Sequence, residues 1–393
     1  MLTRVGNSAN ETKGAADHTL ARGVRQAALS VPALSDALPD ARPNAIRIAI
    51  ATDVWFPQVG DIVRTLGMTI PYLRARGHEV ELIVPDQFIS MPMPRCPDIR
   101  LRLPPRKDMS GMTGDFAPDI VHIVTEGPVG WGMRRWCMDN DVRFTTTFRK
   151  CVPDHMSVRT DLSADWFWPF MQHFHAPAGA VFAPTRRLVD ELTEHDISGG
   201  TLWPRGVDTE LFTPDGPLHP ALKSLPRPIL LSVGRVAAGK NLDAFLASDI
   251  IGTKVVVGYG PALSELKRRY PATLFMGMLD DAELAGAYRA ADVFVFPGKT
   301  DGYTVAMIEA LACGVPVAGF PVAGPLDIIG NKGRGVDNIL PTPVGALNEN
   351  LRLAITAALN VDRMSAAAFG RTFDWTKCSE ELLSGLRHAI DRS

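Results

Sequence analysis

Ile229-Leu-Leu-Ser-Val-Gly-Arg-Val-Ala-Ala-Gly-Lys-Asn241 decides the fold. Its first five residues are short, uncharged and mostly β-branched or aliphatic, the composition of a strand buried on both faces. The chain leaves that strand on a glycine and carries two cations, Arg235 and Lys240, on the following loop. The same pattern opens the first half. There Ile46-Arg-Ile-Ala-Ile-Ala51 runs into Thr52-Asp53, a loop, and an amphipathic stretch from about Ile62 to Arg76. Working outward, 79–84, 119–124, 145–148 and 180–183 read as further strands of the first half. In the second half 254–257, 273–275, 293–296 and 316–318 read the same way. Helical periodicity follows several of them, as over 280–289 and 303–312. Strands alternating with helices build parallel sheets covered on both faces, so the expected class is α/β. The expected architecture is two Rossmann-like, doubly wound parallel-sheet domains facing across a cleft.

The expected domains span 45–210 and 226–370, with a C-terminal helix over 371–393. Between them the stretch from Arg205 to Pro228 carries five prolines and reads as a linker. Residues 1–44 are rich in Ala, Ser, Asp and Asn, lack the apolar segment of a secretory signal, and read as a flexible tail. A chain of 393 residues is long enough for two domains. Lys plus Arg number 41 against 43 Asp plus Glu, a formal charge of −2 without the basic footprint of a nucleic-acid partner. No apolar run is long enough for a helix to span a membrane. Cys96, Cys137, Cys151, Cys313 and Cys378 are scattered and form no C-x-x-C pair. Neither a zinc nor a disulfide framework is expected, and a cytoplasmic location fits.

Four loops follow predicted strands and carry the candidate chemistry. Arg235 and Lys240 lie five apart, with a helix expected near Asn241. Two cations beside a helix N-terminus suit a diphosphate, although two solvated surface cations are the plainer reading. Gly258-Tyr-Gly260 is a tight turn by itself. Nothing completes a G-x-G-x-x-G fingerprint and there is no Walker A sequence, which argues against dehydrogenase and P-loop classes. Asp301 and Glu309 lie eight apart. With a helix beginning near Tyr303, Asp301 would cap it and Glu309 would lie on its surface, or both would bind sugar hydroxyls. Asp280-Asp281 reads as a helix cap rather than a metal ligand pair, and no metal is expected.

At these blocks the chain resembles the retaining glycosyltransferases of the GT-B fold, typified by sucrose synthase and bacterial glycolipid mannosyl- and glucosyltransferases. The likeness runs from about Ile46 to the C-terminal helix. It rests on Thr52-Asp53-x-Trp55-x-Pro57-Gln58-Val59, Thr125-Glu126-Gly127-Pro128 and Arg205-Gly206-Val207-Asp208-x-x-Leu211-Phe212. It continues through Gly234-Arg235-Val236 with Lys240-Asn241, Phe294-x-Phe296-Pro297, and Glu309-Ala-Leu-Ala-Cys-Gly-Val-Pro316. The resemblance implies that Arg235 and Lys240 neutralise the departing donor diphosphate and that Glu309 binds the ribose. It places Asp301 where a glutamate faces the donor sugar, with Gly60, Gly234, Gly258, Gly260, Tyr303, Thr304 and Val305 lining the nucleotide site. It further implies metal-independent transfer from a UDP- or GDP-sugar, no other cofactor, and a C-terminal helix returning to the first domain.

The departures from that pattern gather on the sugar side. Gly60-Asp61 stands where relatives carry Asn-Gly or Gly-Gly, and Arg149-Lys150 where they carry His-Thr. The first glutamate is shortened to Asp301, and a glycine has become Thr304. A carboxylate ~4 Å from a phosphate at an effective dielectric of about 20 costs on the order of 4 kcal/mol, so Asp61 is expected to pair with Arg149. Arg235, Lys240 and Glu309 are intact. Three readings follow: ordinary nucleotide-sugar-dependent retaining transfer to an unidentified acceptor, a pseudo-glycosyltransferase acting on a non-hexose group, or a non-catalytic nucleotide-sugar binder. Trp166-Phe-Trp168 and Arg134-Arg135-Trp136 read as core, or as a weak peripheral contact with a membrane.

Overall fold

A computed structural model describes residues 45–55, 61–85, 90–93, 96–102, 111, 113–148, 164–299 and 304–391. The described residues form two compact units, which divide after Pro204 and again after Lys377, with Arg205–Lys377 as the second.

The first unit is built on β1 (Arg47–Ala51), β2 (Glu79–Ile83), β5 (Ile120–Ile123), β6 (Phe144–Thr147), β7 (Val181–Ala183) and β8 (Gly200–Leu202). Their order is β2-β1-β5-β6-β7-β8, all pairings parallel. A separate antiparallel pair, β3 (Ser90–Met93) and β4 (Cys96–Arg102), intervenes in sequence. The second unit holds β9 (Ile229–Val233), β10 (Thr253–Val257), β11 (Leu274–Gly277), β12 (Val293–Phe296), β13 (Val317–Gly319) and β14 (Gly345–Leu347). It runs β11-β10-β9-β12-β13-β14, again all parallel. The chain builds outward from β9 to β11, then returns beside β9 as β12. The switch point is therefore at β9/β12, and in the first sheet at β1/β5. Ligands of such sheets bind beyond the carboxyl ends of the strands at this point.

Burial explains which strands were legible. Ile48 to Ala51 and Ile229 to Leu231 are fully buried, as strands covered on both faces must be. The edge strands β8 and β14 have three residues each, Gly-Thr-Leu and Gly-Ala-Leu, too short to carry a period. Capping was also readable: Asp280 caps the helix Asp281–Ala290 through a reciprocal pair of bonds with Glu283, so it serves the backbone.

The proline-rich stretch is not a free linker, because side chains of the second unit anchor it. Phe212 and Leu222 lie in the core. The buried Arg289 guanidinium donates to the carbonyls of Pro217 at 2.9 Å, Leu211 at 3.2 Å and Thr213 at 3.4 Å. Helix Trp375–Asp391 passes from one unit to the other. Within the first unit, Trp203 Nε1 donates to the Cys378 carbonyl at 3.1 Å, and Tyr72 and Arg76 both reach Glu380.

Among the described residues no helix is long and apolar enough to cross a membrane. Of the two aromatic clusters, Trp136 and Trp168 are core residues. Arg134 is buried and donates to the carbonyls of His173 and Phe174, while Trp166 and Phe170 are exposed.

His122 sits fully buried on β5, with Nδ1 2.9 Å from Thr145 Oγ1 and Nε2 3.1 Å from Thr147 Oγ1. Each threonine hydroxyl can donate or accept, so a neutral imidazole is satisfied on both sides. Burial pushes its pKa down to about 3. The unfolded histidine protonates near its ordinary value of about 6.5, so stability is lost as pH falls below that value, by at most about 1.4 kcal/mol per pH unit. The expected result is a denaturation midpoint that drops between pH 7 and pH 5 while the His122 ring resonance stays constant. A His122 signal that titrates near pH 6.5 contradicts it.

Candidate functional site

Three loops of the second unit are tied side by side at the carboxyl ends of β9, β10 and β11. Gly234 N donates to Val257 O at 3.0 Å, Val236 N to Tyr259 O at 3.0 Å, and Gly258 N to Gly277 O at 2.7 Å. Glycine is required where these backbones touch. A Cβ on Gly258 would lie 1.9 Å from Gly234 O, and one on Gly260 would lie 2.2 Å from Val236 O. Gly258 and Gly260 therefore hold the loops together. Gly234 is different: its φ is +147° and nothing lies within 4 Å of where its Cβ would point. The backbone there faces open space.

Arg235 is exposed on this loop and Lys240 half-buried. The helix expected near Asn241 is shorter than its role requires. A 3-10 turn, Ala238–Lys240, precedes a helix of five residues, Leu242–Leu246. Asn241 is left-handed at φ 51°, and its side chain donates to Pro297 O at 2.9 Å instead of capping the helix. So short a helix adds little dipole, and the positive potential of this loop comes from the two side chains. That Asn241 bond ties the loop to the one after β12, where Lys299 is exposed with its ammonium 4.6 Å from the Phe320 ring centre. Lys299 is a third cation at this end of the sheet, which sequence spacing did not single out.

The helix after β12 begins at Val305 with Thr304 as its N-cap residue, so Asp301 precedes the cap rather than providing it. Glu309 is not on the surface: it is 2% exposed, and Tyr288 donates its hydroxyl to Oε2 at 3.1 Å. The apolar sequence Val-Ala-Met-Ile-Glu-Ala-Leu-Ala buries nearly all of this helix, which takes Glu309 inside with it.

In the first unit, the loops after β1 and β5 are locked by one carboxylate. Asp53 accepts from Val129 N at 2.8 Å, Gly130 N at 3.3 Å and Thr125 Oγ1 at 2.7 Å. It thereby fills the N-terminus of the helix Pro128–Asp139. Burial still holds its pKa above the usual carboxylate range, with the nearby Glu126 charge adding to the effect. Glu126 itself lies 3.6 Å from His175 Nε2, both side chains buried, and His175 Nδ1 is 2.7 Å from Thr146 Oγ1. The motif that carries Thr125 and Glu126 thus contributes a loop lock and a buried acid–imidazole pair, which only the packed structure brings together.

Gly60, Arg149, Asp301 and Tyr303 lie outside the described residues. Asp61 is the first residue of the helix Asp61–Ala75. Among the described residues no cluster of His, Cys, Asp or Glu is arranged to hold a metal.

Comparison with known proteins places both units. Residues 62–211 match the family model described as Glycosyltransferase Family 4, and 227–356 that described as Glycosyl transferases group 1. A GDP-mannose-dependent alpha-mannosyltransferase of Mycolicibacterium smegmatis is 30% identical over 308 residues, covering 72% of this chain and 82% of the relative. A protein of the same description from Mycobacterium tuberculosis is 27% identical over 365 residues, 86% of this chain and 95% of the relative. Among solved structures, sucrose-phosphate synthase from Thermosynechococcus elongatus superposes with a TM-score of 0.68 at 20% identity, covering 88% of this chain and 100% of that one. That likeness establishes the two-sheet GT-B fold.

Proposed function

We propose that this chain, which belongs to the family 4, group 1 glycosyltransferases and is a nucleotide-sugar-dependent enzyme of that family, transfers a mannosyl group from GDP-mannose to a hydroxyl acceptor with retention of configuration. The observation that carries the reading is the end of β9. There an exposed Arg235 and a half-buried Lys240 follow Gly234, whose backbone faces open space, at the switch point of the second sheet. GDP-mannose is taken from the relatives, whose described donor it is.

In this reading Arg235 and Lys240 hold the diphosphate, and Glu309 receives the ribose hydroxyls. Asp301 faces the sugar, and Gly60, Tyr303, Thr304 and Val305 complete the donor site. The bond from the anomeric carbon to the diphosphate oxygen breaks, and the acceptor oxygen bonds that carbon on the same face. The acceptor proton passes to the departing diphosphate. Negative charge grows on the leaving group, so the two cations stabilise the transition state more than the ground state. With the charge met by side chains, turnover should be insensitive to EDTA.

The test is turnover by the full chain of GDP-mannose and UDP-glucose, with n-octyl α-D-mannopyranoside as acceptor probe and product analysis by mass spectrometry and NMR. GDP release with an α-linked product, unchanged by EDTA, is the expected result. A β-linked product overturns retention, and use of UDP-glucose alone overturns the donor. Turnover that releases GDP into a product carrying no transferred hexose favours a pseudo-glycosyltransferase, and tight GDP binding with no turnover favours a non-catalytic nucleotide-sugar binder.

A further inference from the structure

We infer that Tyr288 is a positioning residue for the nucleotide: its hydroxyl fixes the Glu309 carboxylate in the orientation that receives the ribose hydroxyls. The inference rests on Glu309 as the ribose ligand and adds how an apolar helix keeps a carboxylate ready. Glu309 is the sole charged residue of the helix Val305–Ala312 and is 2% exposed. A carboxylate taken out of water in such surroundings needs hydrogen bonds to remain there. Tyr288 supplies one at 3.1 Å to Oε2. A carboxylate has about four acceptor positions, and the bond from Tyr288 takes one of them on Oε2.

Tyr288 can orient Glu309 because it is itself immobilised. It is fully buried near the end of the helix Asp281–Ala290, with Phe212 meeting its ring near edge-on at 6.0 Å and Phe294 also at 6.0 Å. Its neighbour Arg289 pins the carbonyls of Leu211 and Thr213 on either side of Phe212. The block that ends Leu211-Phe212, prominent in the sequence, thereby acquires a purpose. It braces Tyr288, and Tyr288 braces Glu309. A carboxylate held in place beforehand loses less freedom when the nucleotide arrives.

The experiment is calorimetric titration of the full chain and of Tyr288→Phe with GDP and with 2′,3′-dideoxy-GDP. The wild-type chain is expected to bind GDP about 10- to 100-fold more tightly than the dideoxy analogue, the range for hydrogen bonds to a charged group. Tyr288→Phe keeps the ring and should shrink that ratio by about 5- to 10-fold, with the dideoxy affinity changed less than about twofold. A merely structural role would weaken both ligands together and leave the ratio intact. Glu309→Gln, which keeps the side-chain size, should collapse the ratio too, and adding Tyr288→Phe to it should change nothing further. An equal ratio in wild type and Tyr288→Phe overturns the role of Tyr288 alone. A wild-type chain that fails to discriminate overturns Glu309 as the ribose ligand, and the inference with it.

Discussion

Arg235→Ala is expected to lower turnover of the donor by about 10²–10³, and Lys240→Ala by a similar factor, as loss of one preorganised charge stabiliser does. Both cations lie on the loop leaving β9, and the helix behind them has five residues, so no long helix dipole stands in for a missing side chain. The effect should fall on kcat more than on donor affinity, because the charge that the cations meet is largest as the diphosphate departs. Steady-state kinetics with GDP-mannose reads both parameters. Near-wild-type rates in both variants would mean that the two cations are ordinary surface residues.

Gly258→Ala should severely damage the second unit. The backbone at Gly258 has φ +138°, and a Cβ there would lie 1.9 Å from the Gly234 carbonyl oxygen. The obstacle is backbone, so no side chain can swing away. The loops after β9, β10 and β11 are joined by consecutive hydrogen bonds and would have to separate. Strained backbone combined with a steric clash belongs to the severe class of point changes, and a loss of about 3–5 kcal/mol with abolished nucleotide binding is expected. Urea unfolding followed by Trp fluorescence measures it. A loss below about 1 kcal/mol would show that the loops are not a rigid set.

The parallel strands were legible because burial on both faces leaves an uninterrupted apolar run, as in Ile48 to Ala51. The cap at Asp280 was legible because a capping box is local, fixed by the Glu three residues later. What was illegible depends on tertiary neighbours. Glu309 reads as a surface residue until the helices around it bury both faces of a short apolar helix. Asn241 looks like a helix start, yet its side chain is drawn away by a carbonyl 56 positions along the chain. His175 and Glu126 are far apart in sequence and meet only when β5 and β6 lie side by side. The candidate donor site shows the same division. Arg235 and Lys240 stand out by spacing as a pair of cations suited to a diphosphate, whereas their role toward a departing donor diphosphate came with the family pattern.

The donor nucleotide is expected at the carboxyl end of β9 and β12. A crystal structure of the full chain with GDP tests it most directly. The diphosphate is expected against Arg235 and Lys240 beside Gly234, and the ribose hydroxyls on Glu309. GDP bound elsewhere, or seated with its ribose away from Glu309 and its phosphates away from both cations, would contradict it.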